Sequence, residues 1–258
     1  MAALTGRTAL VTGASRGIGR GIAQRLAADG ALVAVHYGRD EGAAKETVAA
    51  IEAAGGQAFA VRAELGVPGD ADTLVEAVVA GLRERTGTDR LDILVNNAAV
   101  DEGGNGETPE AFDRLFAVNV RAPYFVIRRA LPLMGEGGRI IDIGSGVTRI
   151  SVPGELVYSM SKAALATLGR NLANEVGPRG ITVNTVEPGT VHTDRTAWLF
   201  SHPQAEQMVT GSQAIERVGE PADIAGVVAF LASPDSGFVT ANTIDASGGT
   251  YLGPKNLG

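Results

Sequence analysis

A chain of 258 residues with 45% apolar and only 5% aromatic side chains has enough aliphatic content to bury one large α/β core. Its formal net charge of −7 and the lack of any basic run exclude a nucleic-acid surface, which needs clustered Lys and Arg. Zero cysteines exclude disulfides, thiolate metal ligation and a cysteine nucleophile, and no metal site is expected. No stretch offers ~18 uninterrupted apolar residues and residues 1–11 lack the apolar run of a signal peptide, so a soluble, cytoplasmic protein with no membrane partner is expected.

In chain order, short β-branched runs at residues 8–12, 32–36, 58–61, 93–95, 139–143, 182–186 and 243–245 predict seven strands. Helical periodicity fills the intervals, at residues 18–29, 43–54, 70–85 and 157–176, with another helix starting near Pro221. Strand and helix alternating in this way require right-handed crossovers, hence an α/β fold with a doubly wound parallel sheet flanked by helices. The glycine-rich residues 102–106 read as a surface loop after the fourth strand. Residues 191–213 break the alternation and are too long for a simple connection, which marks them as functional or disordered.

Between the first strand and the first helix lies Gly13-Ala14-Ser15-Arg16-Gly17-Ile18-Gly19. There Gly13 permits a tight turn, Gly17 lets backbone approach a pyrophosphate, and Gly19 lets helix and sheet come close, with the helix N-terminus aimed at the phosphates. The other reading is an ordinary strand-to-helix turn in a chain with 35 glycines. The second strand ends in Val35-His36-Tyr37-Gly38-Arg39, without the carboxylate that would accept NAD ribose hydroxyls. Arg16 and Arg39 suit a 2′-phosphate through their planar donor forks. NADP(H) is therefore expected in preference to NAD(H); the alternative is that Arg39 is a solvated loop residue and His36 packs at the strand end.

Tyr158 and Lys162 stand four residues apart in a helical stretch, which puts phenol and ammonium on one face. A free phenol titrates at about pH 10, so acid/base work near neutrality needs a cation beside it. Tyr251 and Lys255 repeat the spacing, but Gly253 and Pro254 break the helix between them. Ser145 falls at the carboxyl end of the fifth strand, where open α/β sheets bind ligands. Asn119 lies in a helical segment although asparagine forms helices poorly, so it is either a tolerated polar position or a functional one.

Thr12-Gly13-x-x-x-Gly17-x-Gly19, Asn96-Asn97-Ala98, Asn119, Ser145, Tyr158-x-x-x-Lys162 and Pro188-Gly189-x-x-x-Thr193 together resemble the short-chain dehydrogenase/reductase family. The similarity extends over essentially the whole chain and points toward the 3-oxoacyl-carrier-protein reductase and small carbonyl reductase branch. It implies a single-domain Rossmann fold over residues 1–258 and a tetrad of Asn119, Ser145, Tyr158 and Lys162. Asn119 would hold a relay water through its side chain or helix backbone, and Lys162 would bind the nicotinamide ribose. Asn97 and Ala98 would line the cofactor, Pro188, Gly189 and Val191 the nicotinamide, and Thr193 its carboxamide or the phosphates. Glu64, followed by Leu65, stands near adenine where the family often has aspartate, its longer carboxylate either accepting a hydrogen bond from the adenine amino group or facing water, and Ala99 replaces a usual glycine. The resemblance also implies a homotetramer and a substrate lid over about residues 191–213.

Trp198, Leu199, Phe200, Met208 and Val209 supply apolar contacts in that lid, either to substrate or to the packing of the lid or an oligomer interface. Val147, Thr148, Ile150, Val152 and Leu156 supply a second wall. Arg149 is placed either to meet an anionic substrate or in solvent. The expected partner is a small carbonyl or alcohol compound, free or acyl-carrier-bound, with Arg128, Arg129 and Arg179 as contributors to a docking face. The expected reaction is hydride transfer between nicotinamide and a ketone or secondary alcohol. The alternatives are a catalytically silent NADP-binding regulator or scaffold, and a non-redox dehydratase or epimerase.

Overall fold

The computed structural model describes residues 3–101, 108–250 and 252. Seven parallel strands form one sheet in the order β3-β2-β1-β4-β5-β6-β7. They are β1 (Thr8–Val11), β2 (Leu32–Tyr37), β3 (Gln57–Arg62), β4 (Ile93–Asn96), β5 (Arg139–Ile143), β6 (Thr182–Pro188) and β7 (Thr243–Ala246). Alternate side chains of the central strands enter two separate cores: Ala9, Val11, Val33, Val35, Ile141 and Ile143 on one face, Leu10, Ala34, Leu94 and Ile140 on the other. Both faces being buried is why these strands read as continuous apolar runs.

Helices α1 (Gly17–Ala28) and α2 (Glu41–Ala53) cover the first face, and α3 (Asp70–Thr86) the second. Between β4 and β5 the chain forms α4 (Pro109–Phe116) and α5 (Ala122–Ala130), joined by a π-helical turn over Ala117–Arg121 that holds Asn119. The expected helix is thus widened by one turn of i to i+5 bonding, a feature that a polar residue seeking non-helical partners accommodates. The long α6 (Leu156–Val176) crosses back to β6.

Residues after β6 are more ordered than an irregular connection. A 3₁₀ turn (Asp194–Thr196) leads into α7 (Ala197–Phe200) and α8 (Pro203–Gly211), before α9 (Pro221–Ala232) returns to the first face. The Thr193 and Thr196 side chains cap the 3₁₀ turn reciprocally, and proline opens α8. Helices this short carry too few turns for periodicity to reveal. The loop at residues 102–106 and the Tyr251/Lys255 pair lie outside the described residues. No helix among the described residues is long and apolar enough to cross a membrane.

Candidate active site

The strand order reverses between β1 and β4, so their carboxyl ends diverge and open a cleft, as in other doubly wound sheets. The cleft has a volume of about 1020 Å³. Every residue expected to bind cofactor lines it: Gly13, Ser15, Arg16, Gly17, Ile18 and Gly19 from the first turn, Arg39, Glu64 and Leu65 at one end, and Asn97 and Ala98 in the floor. Pro188, Gly189, Val191 and Thr193 complete the opposite rim.

The glycine turn is held by its neighbours. Gly13 has φ 63°, and a Cβ there would stand 2.9 Å from the Ala98 Cα. The Thr12 hydroxyl accepts the Asn97 and Ala98 N–H groups at 2.9 and 3.0 Å. Asn97 Nδ2 donates to the Thr12 and Gly13 carbonyls at 2.8 and 3.1 Å. The amide nitrogen of Asn97 therefore braces the turn from the floor of the cleft. His36 does the same from β2, accepting the Gly13 N–H at 3.0 Å. The first turn of α1 carries no acidic side chain, so its free N–H groups present positive potential to an anion.

Arg39 is solvent-exposed, and its Nη2 pairs with Glu64 Oε1 at 3.0 Å. Glu64 is thereby engaged by arginine at the same rim where adenine contact was expected. Arg16 stands 3.9 Å from Asp194 across the cleft mouth. Both pairs are solvent-exposed and weak, so either arginine can turn to a phosphate at little cost.

Ser145, Tyr158 and Lys162 meet in the same cleft. Tyr158 and Lys162 occupy the first two turns of α6, both buried, with Lys162 Nζ 5.7 Å from the Tyr158 ring centre. Lys162 Nζ donates to the Ile143 carbonyl at 2.8 Å, which pins it to the end of β5. Burial pushes its ammonium below the usual lysine range; the Tyr158 hydroxyl and Asp142 oppose that shift, and the Arg195 charge adds to it. Ser145 caps the 3₁₀ turn Gly146–Thr148, its Oγ accepting the Val147 N–H at 3.4 Å.

Asn119 does not line the cleft. Fully buried, it accepts the Val100 N–H at 2.9 Å and donates to the Val100 carbonyl at 2.9 Å and to Ser161 Oγ at 3.1 Å. Ser161 in turn donates to the Tyr158 carbonyl at 2.7 Å. With both amide hydrogens committed, a relay water would take its bond from the π-turn backbone, so of the two expected modes the side-chain donor is the one the packing disfavours.

Three charged groups escaped the sequence reading. Arg195, in the 3₁₀ turn after β6, donates to the Tyr158 hydroxyl at 3.0 Å and to Asp101 Oδ2 at 2.6 Å, with Glu155 Oε2 at 3.8 Å. Its guanidinium carbon lies 4.5 Å from the Tyr158 ring centre. Burial opposes the Arg195 charge, but Tyr158, Asp101 and Glu155 outweigh it. Glu155 is pushed up by burial and by Asp101, with Arg195 pulling the other way. A charged Asp194-Arg195 pair opening the apolar segment that follows β6 was the available signal.

Arg149 is exposed at the cleft wall, the second of its two expected placements, and it pairs with buried Glu187 at 2.9 Å and with Asp245 at 2.6 Å, tying the wall after β5 to β6 and β7. Arg129 pairs with Asp72, Arg128 with Glu175, and Arg179 donates to the Leu131 and Met134 carbonyls, so the suggested basic docking face has its charges already engaged. Of the apolar wall residues, Val147, Ile150, Val152, Trp198, Leu199, Met208 and Val209 line the cleft. Phe200 packs on the His192 ring instead, and Leu156 projects outward.

The family model described as Enoyl-(Acyl carrier protein) reductase matches residues 13–251. The reductase LugOII, whose structure is described as catalysing keto-reduction at C1 in lugdunomycin biosynthesis, is 52% identical, with TM-score 0.93 over 97% of this chain and 100% of its own. The angucycline C-6 ketoreductase LanV with bound NADP is also 52% identical, with TM-score 0.92 over 97% and 98%. Tetrahydroxynaphthalene reductase of Pyricularia oryzae is 38% identical over 97% of this chain and 92% of its own length. With the glycine turn, the Tyr158/Lys162 face and the reversed strand order in one cleft, the chain belongs to the short-chain dehydrogenase/reductase family.

Proposed function

We propose that the protein is an NADP(H)-dependent ketoreductase acting on a ring or polyketide ketone, with Tyr158 as proton donor in reduction and acceptor in alcohol oxidation. The observation that carries this reading is the meeting of Ser145, Tyr158 and Lys162 in the cleft that the glycine turn also lines. A dinucleotide fits the donors present: the cradle at Gly13 and Gly19 has no room for a side chain, and the α1 N-terminus is free of acidic groups. Arg16 and Arg39 would take the 2′-phosphate, and Pro188, Gly189, Val191 and Thr193 the nicotinamide end. NADPH supplies the hydride. Ser145 Oγ would hold the ketone oxygen, Tyr158 would protonate it, and Lys162, fixed on Ile143, would stabilise the phenolate and bind the ribose. Asn119 would act at one remove, positioning α6 through Ser161.

The relatives support a polyketide-like substrate: LanV was solved with NADP and rabelomycin, and another relative is named for a polyhydroxylated naphthalene. Residues 191–213 would serve as the lid, with exposed Trp198 and Met208 facing the ring. A homotetramer is part of the proposal, since Tyr124, Phe125 and Phe238 leave apolar surface on α5 and beside β7. The test is NADPH oxidation with a panel of aryl and polycyclic ketones. Tyr158→Phe should cut the rate by about 10² to 10⁴ while leaving NADPH affinity unchanged; a variant as fast as wild type removes Tyr158 from the chemistry.

A further inference from the structure

We propose that Arg195 is a specificity-determining residue: its guanidinium receives a second, neutral oxygen of the substrate, carried on the carbon β to the reacting carbonyl. This rests on the ketoreductase reading above. Arg195 Nη1 already donates to the Tyr158 hydroxyl at 3.0 Å, so a ketone oxygen bound to that hydroxyl lies within one hydrogen bond of the fork. A β-oxygen beside that ketone then falls next to the N–H groups left over after Tyr158 and Asp101 are served. In an ortho-hydroxyaryl ketone the phenol hydrogen is chelated onto the carbonyl, leaving the phenol oxygen purely an acceptor. Arginine is purely a donor, so the two match.

Charge decides what kind of oxygen is received. Asp101 and Glu155 flank the guanidinium at 2.6 and 3.8 Å and already balance its charge, so a substrate carboxylate would meet two like charges at the moment it met Arg195. A neutral hydroxyl or carbonyl has no such penalty. The guanidinium plane over the Tyr158 ring, 4.5 Å from its centre, and the apolar Val147, Val152 and Trp198 suit a flat aromatic frame beside it. The substrate class is thus a β-oxygenated aryl ketone.

Trp198, the chain's one tryptophan, is 60% exposed in the lid and reports ligand binding by fluorescence without any turnover. The full-length protein with NADP⁺ is titrated with acetophenone, ortho-hydroxyacetophenone and ortho-acetylbenzoate, with equilibrium dialysis as a cross-check. The hydroxy ketone should bind about 10-fold or more tighter than acetophenone, the gain of a hydrogen bond to a charged donor, and the benzoate more weakly. Arg195→Leu should bring the first ratio to about 1, Arg195→Lys should keep part of it, and Asp101→Asn with Glu155→Gln should admit the benzoate. An unchanged hydroxy-ketone preference in both Arg195 variants, or tightest binding of the benzoate by wild type, overturns the inference. NADPH oxidation in parallel wells holding NADPH in place of NADP⁺ tests the ketoreductase reading separately, because its absence leaves the binding ratios to stand or fall alone.

Discussion

His36 Nδ1 accepts the Gly13 backbone N–H at 3.0 Å, while Nε2 faces the Ala63 carbonyl at 3.0 Å. The first bond fixes the tautomer: Nδ1 is the acceptor, so Nε2 carries the hydrogen and donates to Ala63. One neutral imidazole therefore fastens the glycine turn to the end of β3, which is why the ring is more than strand-end packing. Burial holds its pKa down from 6.5 to about 4, against the pull of the Ala63 carbonyl.

That depression makes His36 a source of acid instability. Above pH 6.5 both folded and unfolded chains hold a neutral ring; as pH falls from 6.5 toward 4 the unfolded chain alone takes up the proton, and stability drops. The total loss is about 3 kcal/mol. His36→Phe should be less stable than wild type by about 1–3 kcal/mol at neutral pH, because Gly13 N–H and Ala63 C=O lose their partner. It should also bind NADPH more weakly and show a shallower decline in urea midpoint toward about pH 4.5. Parallel declines for the two proteins would contradict the assignment.

Asp142 acts in the opposite sense. It is fully buried in β5, Oδ1 accepts Asn96 Nδ2 at 2.8 Å, and Oδ2 has no hydrogen-bond partner among the described residues. Burial raises its pKa from 3.8 to about 6, although Asn96 and the Lys162 charge pull it down. Between pH 3.8 and 6 the folded chain keeps a proton that the unfolded chain has released, so stability falls as pH rises through that window. Asp142→Asn should therefore be more stable than wild type above pH 6 by about 1–3 kcal/mol, less whatever Lys162 loses with its neighbour's charge. Urea unfolding across the window should show the gap closing toward acid pH; a variant less stable at neutral pH would show that the carboxylate is needed for packing.

How much of this was legible depends on where each side chain sends its interactions. The strand runs and the cradle at Gly13 and Gly19 follow from local rules: alternate burial on two faces, and turns that only glycine fits. Tyr158 and Lys162 were legible because helical spacing alone puts them together. Arg195 was not, since its partners Asp101 and Tyr158 stand far away in sequence and only the return of the chain after β6 brings them to it. Asp142 gave a faint sign, an acid within Arg139-Ile140-Ile141-Asp142-Ile143, but its meaning required knowing that β5 is covered on both faces. The carboxylate partners of Arg149 and Arg39 were not legible either, since Glu187, Asp245 and Glu64 are remote from them in sequence.

The Arg39–Glu64 pair predicts a tunable cofactor preference. Arg39→Asp would remove the proposed charge-assisted contact to the 2′-phosphate and add repulsion, so NADPH affinity should fall about 10- to 100-fold while NADH affinity changes little. Glu64→Gln releases Arg39 from its 3.0 Å ion pair, and NADPH should bind somewhat tighter. Isothermal titration with both cofactors measures each change. Equal losses for NADPH and NADH in Arg39→Asp would place the 2′-phosphate elsewhere.

Gly19→Ala is the strictest test of the cradle. A Cβ at this position would lie 2.2 Å from the Gly13 carbonyl oxygen and 2.5 Å from Asn97 Nδ2. Neither atom can swing away freely, because Gly13 is held through His36 and Asn97 donates to both Thr12 and Gly13. The methyl must therefore push α1 off the turn, moving the free N–H groups at its N-terminus from where the pyrophosphate would rest. NADPH binding should fall by at least 10-fold, with a stability loss of about 1–3 kcal/mol from the overpacked contact. Calorimetric titration beside urea unfolding separates the two effects, and a variant that keeps wild-type NADPH affinity would mean the cofactor does not lean on this turn.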